Sequence, residues 1–239
     1  MQPAVTGLDP VRSSTLGPEA NYLFVTPFTM DPNNPNRLWL GGEYLYRTTN
    51  LASSWSKVGA AMPDEGLVSA LAIRPGEATH LVVGTHKGDV LWSRNATNNV
   101  TSITFNTTRP RNGWVTSIAH DERAAGVVYA TYGNFGGAHV YRSANYGETW
   151  QPLPGSGSGT LPDIPVHSIV VDPDDSQRLY LGTDLGVMVS IDGGRTWMTE
   201  ETGFGPAVTM WLQVVKTTEG QKYLFAFTHG RGAWRVKLP

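Results

Sequence analysis

Glu43, Asp184, His167 and His229 are the side chains with which this chain could move a proton. A carboxylate beside an imidazole can act as base and acid partner on a hydrolysable bond. A carboxylate can also hold a metal that activates water on an ester or phosphotriester. In either scheme Glu43 or Asp184 would be the base or metal ligand, and His167 or His229 the acid–base partner. Other groups suit binding. Trp114, Trp211 and Tyr132 carry rings on which a sugar face could stack, while Asn134, His86 and Arg231 could hydrogen-bond hydroxyls.

Each residue also has a structural reading. The two tryptophans suit packing between sheets, and Asp184 could fix its own Gly-Thr-Asp-Leu-Gly loop through backbone bonds. His229 and Arg231 could tie the last repeat to the first, and His86 with Lys87 read as solvated loop residues. Glu43 is harder to explain as a turn former, because Gly41 and Gly42 already supply the turn. The six histidines show no His-x-x-x-His or similar ligand spacing. A divalent cation held by Glu43, Asn134 and Asp184 would suit hard-ligand chemistry, but no spacing supports it, so neither metal nor cofactor is expected. Pro154–Gly159 reads as a flexible linker, since no Lys-Ser/Thr follows it to make a phosphate loop. No nucleophile elbow and no Ser/His/Asp triad can be nominated.

These candidates are positioned by a repeat. Five segments, approximately 21–63, 64–110, 111–160, 161–205 and 206–239, share one order of elements. An apolar strand is followed by an Asp/Pro-type turn, a second strand, a Gly-containing loop, a third strand and a polar clasp. Equivalent second-strand positions, Trp39, Val82, Tyr129, Tyr180 and Leu224, recur at about 45 residues, the length of a four-stranded propeller blade. Short strands bounded by Gly, Pro, Asn and Asp, with no helical period, predict an all-β chain. The expectation is a single β-propeller domain over 1–239, of about five four-stranded blades. Successive loops of a meander alternate between two edges, so the clasps share one edge and the second-to-third-strand loops share the other. Glu43, His86, Tyr132, Asn134, Asp184, His229 and Arg231 fall on the second edge, joined by Tyr22, Trp114, His167 and Trp211 where blades begin.

The clasp is fullest at Ser190-Ile-Asp-Gly-Gly-Arg-Thr-Trp197, in which Asp192 can fold back on backbone N–H groups and Gly193 and Gly194 accept positive φ. Thr196 then opens a strand and Trp197 is buried between sheets. Ser143, Asn145, Gly147, Thr149 and Trp150 repeat the spacing with Asn for Asp. Thr48, Asn50, Ser54 and Trp55 repeat it with Ala52 in the glycine's place. A fourth copy at Ser93 and Asn95 leaves Phe105 for the tryptophan. The pattern S-x-D-x-G-x-T-W resembles the Asp-box, or bacterial neuraminidase (BNR), repeat of β-propellers. Phe24–Pro32, Leu38–Gly42, Tyr180–Val187 and Phe227–Arg235 look like segments of large bacterial proteins carrying such propellers. Sialidases, xyloglucan-hydrolysing propellers and sortilin-type receptors share the box, and the resemblance implies that it is structural and lies away from the active face. It also implies an extracellular or periplasmic setting. The chain departs from the enzymes, because no arginine triad for a sialidase can be assigned and there is room for one propeller rather than two.

Composition narrows the classes further. A net charge of −2 gives no reason to expect nucleic acid or an anionic membrane. No cysteine is present, so disulfides and thiolate metal sites are excluded. No 18-residue apolar run or signal peptide is visible. The fifth repeat has three strands, and a segment around Pro3–Leu8 is expected to supply the fourth and close the ring. The rival is a piece of a larger propeller, completed by self-association or by further sequence. Asn95, Asn99 and Asn106 match the glycosylation sequon, which matters only in a eukaryotic secretory route. The leading expectation is a ligand-binding or scaffolding module with a glycan or small molecule as ligand. A hydrolase, glycosidase-like or metal-assisted, is the alternative, and a protein-interaction propeller the second.

Overall fold

The computed structural model describes residues 21–201 and 204–239. The closing strand expected at Pro3–Leu8 lies outside the described residues. The chain divides into two compact units, residues 1–115 and 116–239.

The first unit holds two four-stranded antiparallel sheets. One contains β1 (Phe28–Asp31), β2 (Asn34–Gly41), β3 (Leu45–Thr48) and β4 (Ser56–Val58). The other contains β5 (Val68–Arg74), β6 (Glu77–Thr85), β7 (Val90–Ser93) and β8 (Asn106–Thr108). β1 is shorter than the expected Phe24–Met30, because Pro27 has no N–H to donate to a ladder and serves as an acceptor for Gly41 instead. The turn after it is tighter than expected too, since Asn34 already pairs with Asp31. Trp39, Leu45, Val58, Val68, Leu81 and Val83 form the core between the two sheets.

Three sheets make up the second unit. The third sheet is β9 (Val115–His120), β10 (Val128–Tyr132), β11 (Val140–Ser143) and β12 (Gln151–Pro152). The fourth is β13 (Val166–Asp172), β14 (Asp175–Thr183), β15 (Gly186–Ser190) and β16 (Met198–Thr199). The fifth has three strands, β17 (Thr209–Lys216), β18 (Lys222–Thr228) and β19 (Ala233–Leu238). The fourth sheet is covered on both faces. Leu179 and Leu181 pack toward Tyr129, Val140 and Trp197, while Tyr180 packs toward Leu212 and Leu224. That is why three consecutive residues of β14 are buried where a one-sided strand would alternate. In the fifth sheet alternation returns, with Leu212 buried beside an exposed Trp211. Helix among the described residues is confined to single 3-10 turns at Pro63–Glu65, Val100–Ser102 and Gly157–Gly159.

Turn chemistry recurs at both ends of the strands. In the first-to-second-strand turns, Asp31 accepts from Asn33 N at 2.8 Å, Asp121 from Arg123 N at 2.9 Å and Asp172 from Asp174 N at 2.9 Å. In the clasps, Asp192 Oδ1 accepts from Ser190 Oγ at 2.8 Å and Thr196 N at 2.9 Å, and Oδ2 from Thr196 Oγ1 at 2.7 Å. Gly194 N donates to Ser190 Oγ at 2.8 Å. Ser143, Asn145, Gly147 and Thr149 reproduce these bonds. The second sheet's clasp carries a longer insertion, yet Thr104 N still reaches Asn95 Oδ1 at 3.0 Å, so Phe105 follows it where Trp197 follows Thr196.

Candidate functional site

The strongest regularity at the second-to-third-strand edge is a register. The residue following the second strand sends its N–H to a carbonyl just ahead of the first strand of its own sheet. In the second and fifth sheets the bonds are His86 N to Leu67 O at 3.0 Å and His229 N to Val208 O at 2.8 Å, while Glu43, two residues past β2, sends its N–H to Asn21 O at 2.9 Å, well ahead of β1. Threonines brace several of these loops. Thr85 Oγ1 accepts from Asp89 N at 3.1 Å, Thr183 Oγ1 accepts from Leu185 N at 3.1 Å, and Thr228 Oγ1 donates to Gly232 O at 2.7 Å. Such short local bonds fix a loop without help from the core. His86, Asp184 and His229 therefore hold one repeated position, directly after the second strand of their sheets.

In the second unit the structure brings two of the four proton-transfer candidates together. His167 Nε2 lies 2.7 Å from Asp184 Oδ1, with the carboxylate 39% exposed and the imidazole 19%. His167 stands in the bulge between Val166 and Ser168, opposite the end of β14. Asp184 thus has a side-chain partner, where the sequence suggested backbone anchoring. His229 and Arg231 are exposed on the loop after β18, and Asn134 on the loop after β10. Trp211 is 53% exposed at the start of β17. Tyr132 departs from expectation. Its side chain is wholly buried, with its ring edge-on to Tyr141 at 5.5 Å, so it has no face to offer a ligand and acts as packing.

In the first unit, Glu43 Oε2 accepts from Asn21 Nδ2 at 3.3 Å. His86 Nδ1 accepts from Leu67 N at 2.8 Å, and its ring meets the edge of Trp114 at 5.8 Å. His86 is thus built into the loop rather than solvated, and Trp114 remains 41% exposed beside it.

Three features of the structure were not foreseen from the sequence. His139 Nε2 pairs with Asp163 Oδ1 at 2.8 Å, and the same oxygen accepts from Gly136 N, so this second imidazole–carboxylate pair fastens the loop after β10. Arg109 bridges Asp89 at 2.8 Å and Asp64, and the Asp89 hydrogen bond leads in holding the guanidinium's pKa above its ordinary value. The third is Arg142, on β11 opposite Tyr129. Among the described residues no three His, Asp or Glu side chains converge as metal ligands, and no helix is long and apolar enough to cross a membrane.

Glycoside hydrolysis ordinarily uses two carboxyl groups flanking the scissile bond. The pair on this edge is one carboxylate and one imidazole. It can orient a water or a hydroxyl and pass a proton, and a second carboxylate would complete a glycosidase.

Comparison with known proteins points to sugar chemistry. No protein-family model matches the chain. An oligoxyloglucan-reducing end-specific xyloglucanase of Emericella nidulans is 26% identical over 215 residues, covering 82% of this chain and 25% of that protein. A xyloglucanase of Paenibacillus sp. is 30% identical over 210 residues, covering 76% of this chain and 19% of that one. The chain thus spans a quarter or less of the length of these curated relatives. Among solved structures, an ancestral GH74 enzyme superposes with a TM-score of 0.66 at 24% identity, covering 93% of this chain and 31% of the other. The GH74 xyloglucanase from Xanthomonas campestris gives 0.64 at 17% identity, covering 91% and 36%. The structural likeness is one of fold and supports a propeller built from these sheets. The first reading, a binding module without chemistry, is less well supported than the hydrolase alternative.

Proposed function

We propose that this chain is the sugar-recognising part of a hydrolase acting on a xyloglucan-like β-glucan. The observation that carries the reading is the half-exposed His167–Asp184 pair at the loop edge of the fourth sheet. It stands on a fold whose similar proteins include xyloglucanases. Asp184 is the group that handles the proton or orients the attacking water, and His167 holds its carboxylate in place. Trp211 in the second unit and Trp114 in the first are the stacking surfaces. A polymeric glycan as ligand is in keeping with the extracellular or periplasmic setting implied by the Asp-box resemblance. The test is calorimetric titration with xyloglucan oligosaccharides beside a reducing-end release assay. Saturable binding that Trp211→Ala weakens about tenfold, or about 1.4 kcal/mol and within the ~0.5–1.5 kcal/mol of a ring contact, supports the reading. Absence of both binding and release would overturn it.

A further inference from the structure

At the clasp edge, the opposite end of the strands from the site above, a cavity of about 380 Å³ opens between the third and fourth sheets. One wall is a cross-strand ladder in which Arg142 is flanked by Tyr129 on β10 and Gln151 on β12. The other wall is made by two turns of the fourth sheet, which contribute Gln177 and Arg195.

The first unit contains the same ladder in a closed form. Arg47 is flanked there by Trp39 and Ser56. Its Nη1 donates to Ala96 O at 2.5 Å, and the residue is 8% exposed. Ala96 N bonds to Thr79 O at 3.0 Å as Gly193 N bonds to Gln177 O at 2.8 Å, so Gly193 is the counterpart of Ala96. Between the third and fourth sheets the slot stays open instead, and Arg142 and Gly193 both line it. One junction uses its arginine to seal a carbonyl, and the other leaves its arginine, hydrogen-bonded to the Tyr129 hydroxyl, lining a hollow.

The hollow favours acceptors. Asp121 and Asp192 also line it, and the formal charges of two arginines and two aspartates cancel. Asp192 has both oxygens and Asp121 its Oδ1 already in hydrogen bonds, however. Asp121 Oδ1 accepts from Arg123 N, Ala124 N and Ser176 Oγ, and Asp192 is occupied by its clasp. Arg195 spends its Nε on Asp192 O at 3.1 Å, keeping its terminal nitrogens. A ligand therefore meets guanidinium and carboxamide donors, and guanidinium pairs best with a planar oxyanion. The volume lies at the lower end for small-molecule sites, the size of one or two sugar rings.

We propose that this pocket binds a carboxylated sugar, a hexuronate unit, with Arg142 and Arg195 on the carboxylate and Gln151 and Gln177 on the hydroxyls. The site is independent of the loop edge. The test is titration of the intact chain, followed by NMR, with glucuronate, glucose and sulfate. Glucuronate is expected to saturate in the millimolar range or tighter, shifting the Gly193 and Arg195 amides, while glucose does not. Arg142→Gln should weaken it about tenfold, the loss of one charge-assisted contact, with Arg142→Lys between. Arg195→Gln, on an exposed turn, gives the same reading if the Arg142 variant fails to fold. Sulfate competing weakly supports a shared oxyanion subsite. The inference is overturned if glucose or sulfate binds as well as glucuronate, or if the variants bind it unchanged.

Discussion

Asp184 Oδ1 and His167 Nε2 meet at 2.7 Å although the residues stand 17 positions apart, joined across the bulge at the start of β13. A pair that only braces its loop and a pair that handles protons make different demands on the carboxylate. Asp184→Asn keeps the shape and the hydrogen bond but removes the charge. On the proposed function, turnover by the enzyme containing this chain falls by a factor on the order of 100 to 10,000, with melting temperature little changed. Unchanged turnover in Asp184→Asn would reduce the pair to a loop brace.

The first clasp holds strain at a position where the third and fourth use glycine. Ala52 occupies the position of Gly147 and Gly194 and has φ of 64°, while those glycines have 101° and 89°. Left-handed backbone costs a residue with a Cβ about 1–2 kcal/mol. Glycine returns about 0.5–1 kcal/mol of that through its freer unfolded chain. Ala52→Gly is therefore expected to stabilise by about 0.5–1 kcal/mol, raising the melting temperature by roughly 1–4 °C. Calorimetry showing a decrease would mean that the surrounding loop has already absorbed the strain.

Local features were legible in the sequence, and long-range ones were not. The clasps, the Asp turns and the blade period recur at fixed short spacings, so Phe105 could be aligned with Trp197 despite an insertion. Burial was harder to read. Tyr132 follows a threonine as His86, Asp184 and His229 do, but its ring turns into the sheet because an apolar ring gains from leaving water where a charged group loses. The His167–Asp184 pairing required the register between β13 and β14, which a list of candidate side chains does not supply. Arg142 carried a visible signal, since Tyr46-Arg47-Thr48 and Tyr141-Arg142-Ser143 are near copies ahead of two clasps. What differs is whether the next sheet closes over the arginine.

Asp192 gives the fourth clasp a pH dependence. Hydrogen bonds from the Thr196 side chain, then its backbone N–H, lower the Asp192 pKa to about 2. A carboxyl whose folded pKa lies below its unfolded value of about 3.9 adds stability above that value, and loses it as pH falls toward 2. Melting temperature should therefore fall between about pH 4 and pH 2, and fall less steeply in Asp192→Asn, which copies the Asn145 clasp. Parallel profiles for the two proteins would place the acid sensitivity elsewhere.

Lys222 and Asp172, 50 positions apart, tie the start of β18 to the end of β13 with Nζ–Oδ1 and Nζ–Oδ2 distances of 2.8 and 2.9 Å. Asp172 is fully buried and Arg178 stands 3.8 Å away, so the lysine supplies the nearest positive charge. Removing one partner of a buried pair costs about 3–5 kcal/mol where the other charge is left uncompensated, and here only the more distant Arg178 would remain for Asp172. Lys222→Met is expected to lose up to about 3–5 kcal/mol in urea unfolding. Pairing it with Asp172→Asn should recover most of the loss, because the uncompensated charge has then gone. A double variant no more stable than Lys222→Met would show that Asp172 serves the fold through its turn bond to Asp174 N rather than through the lysine.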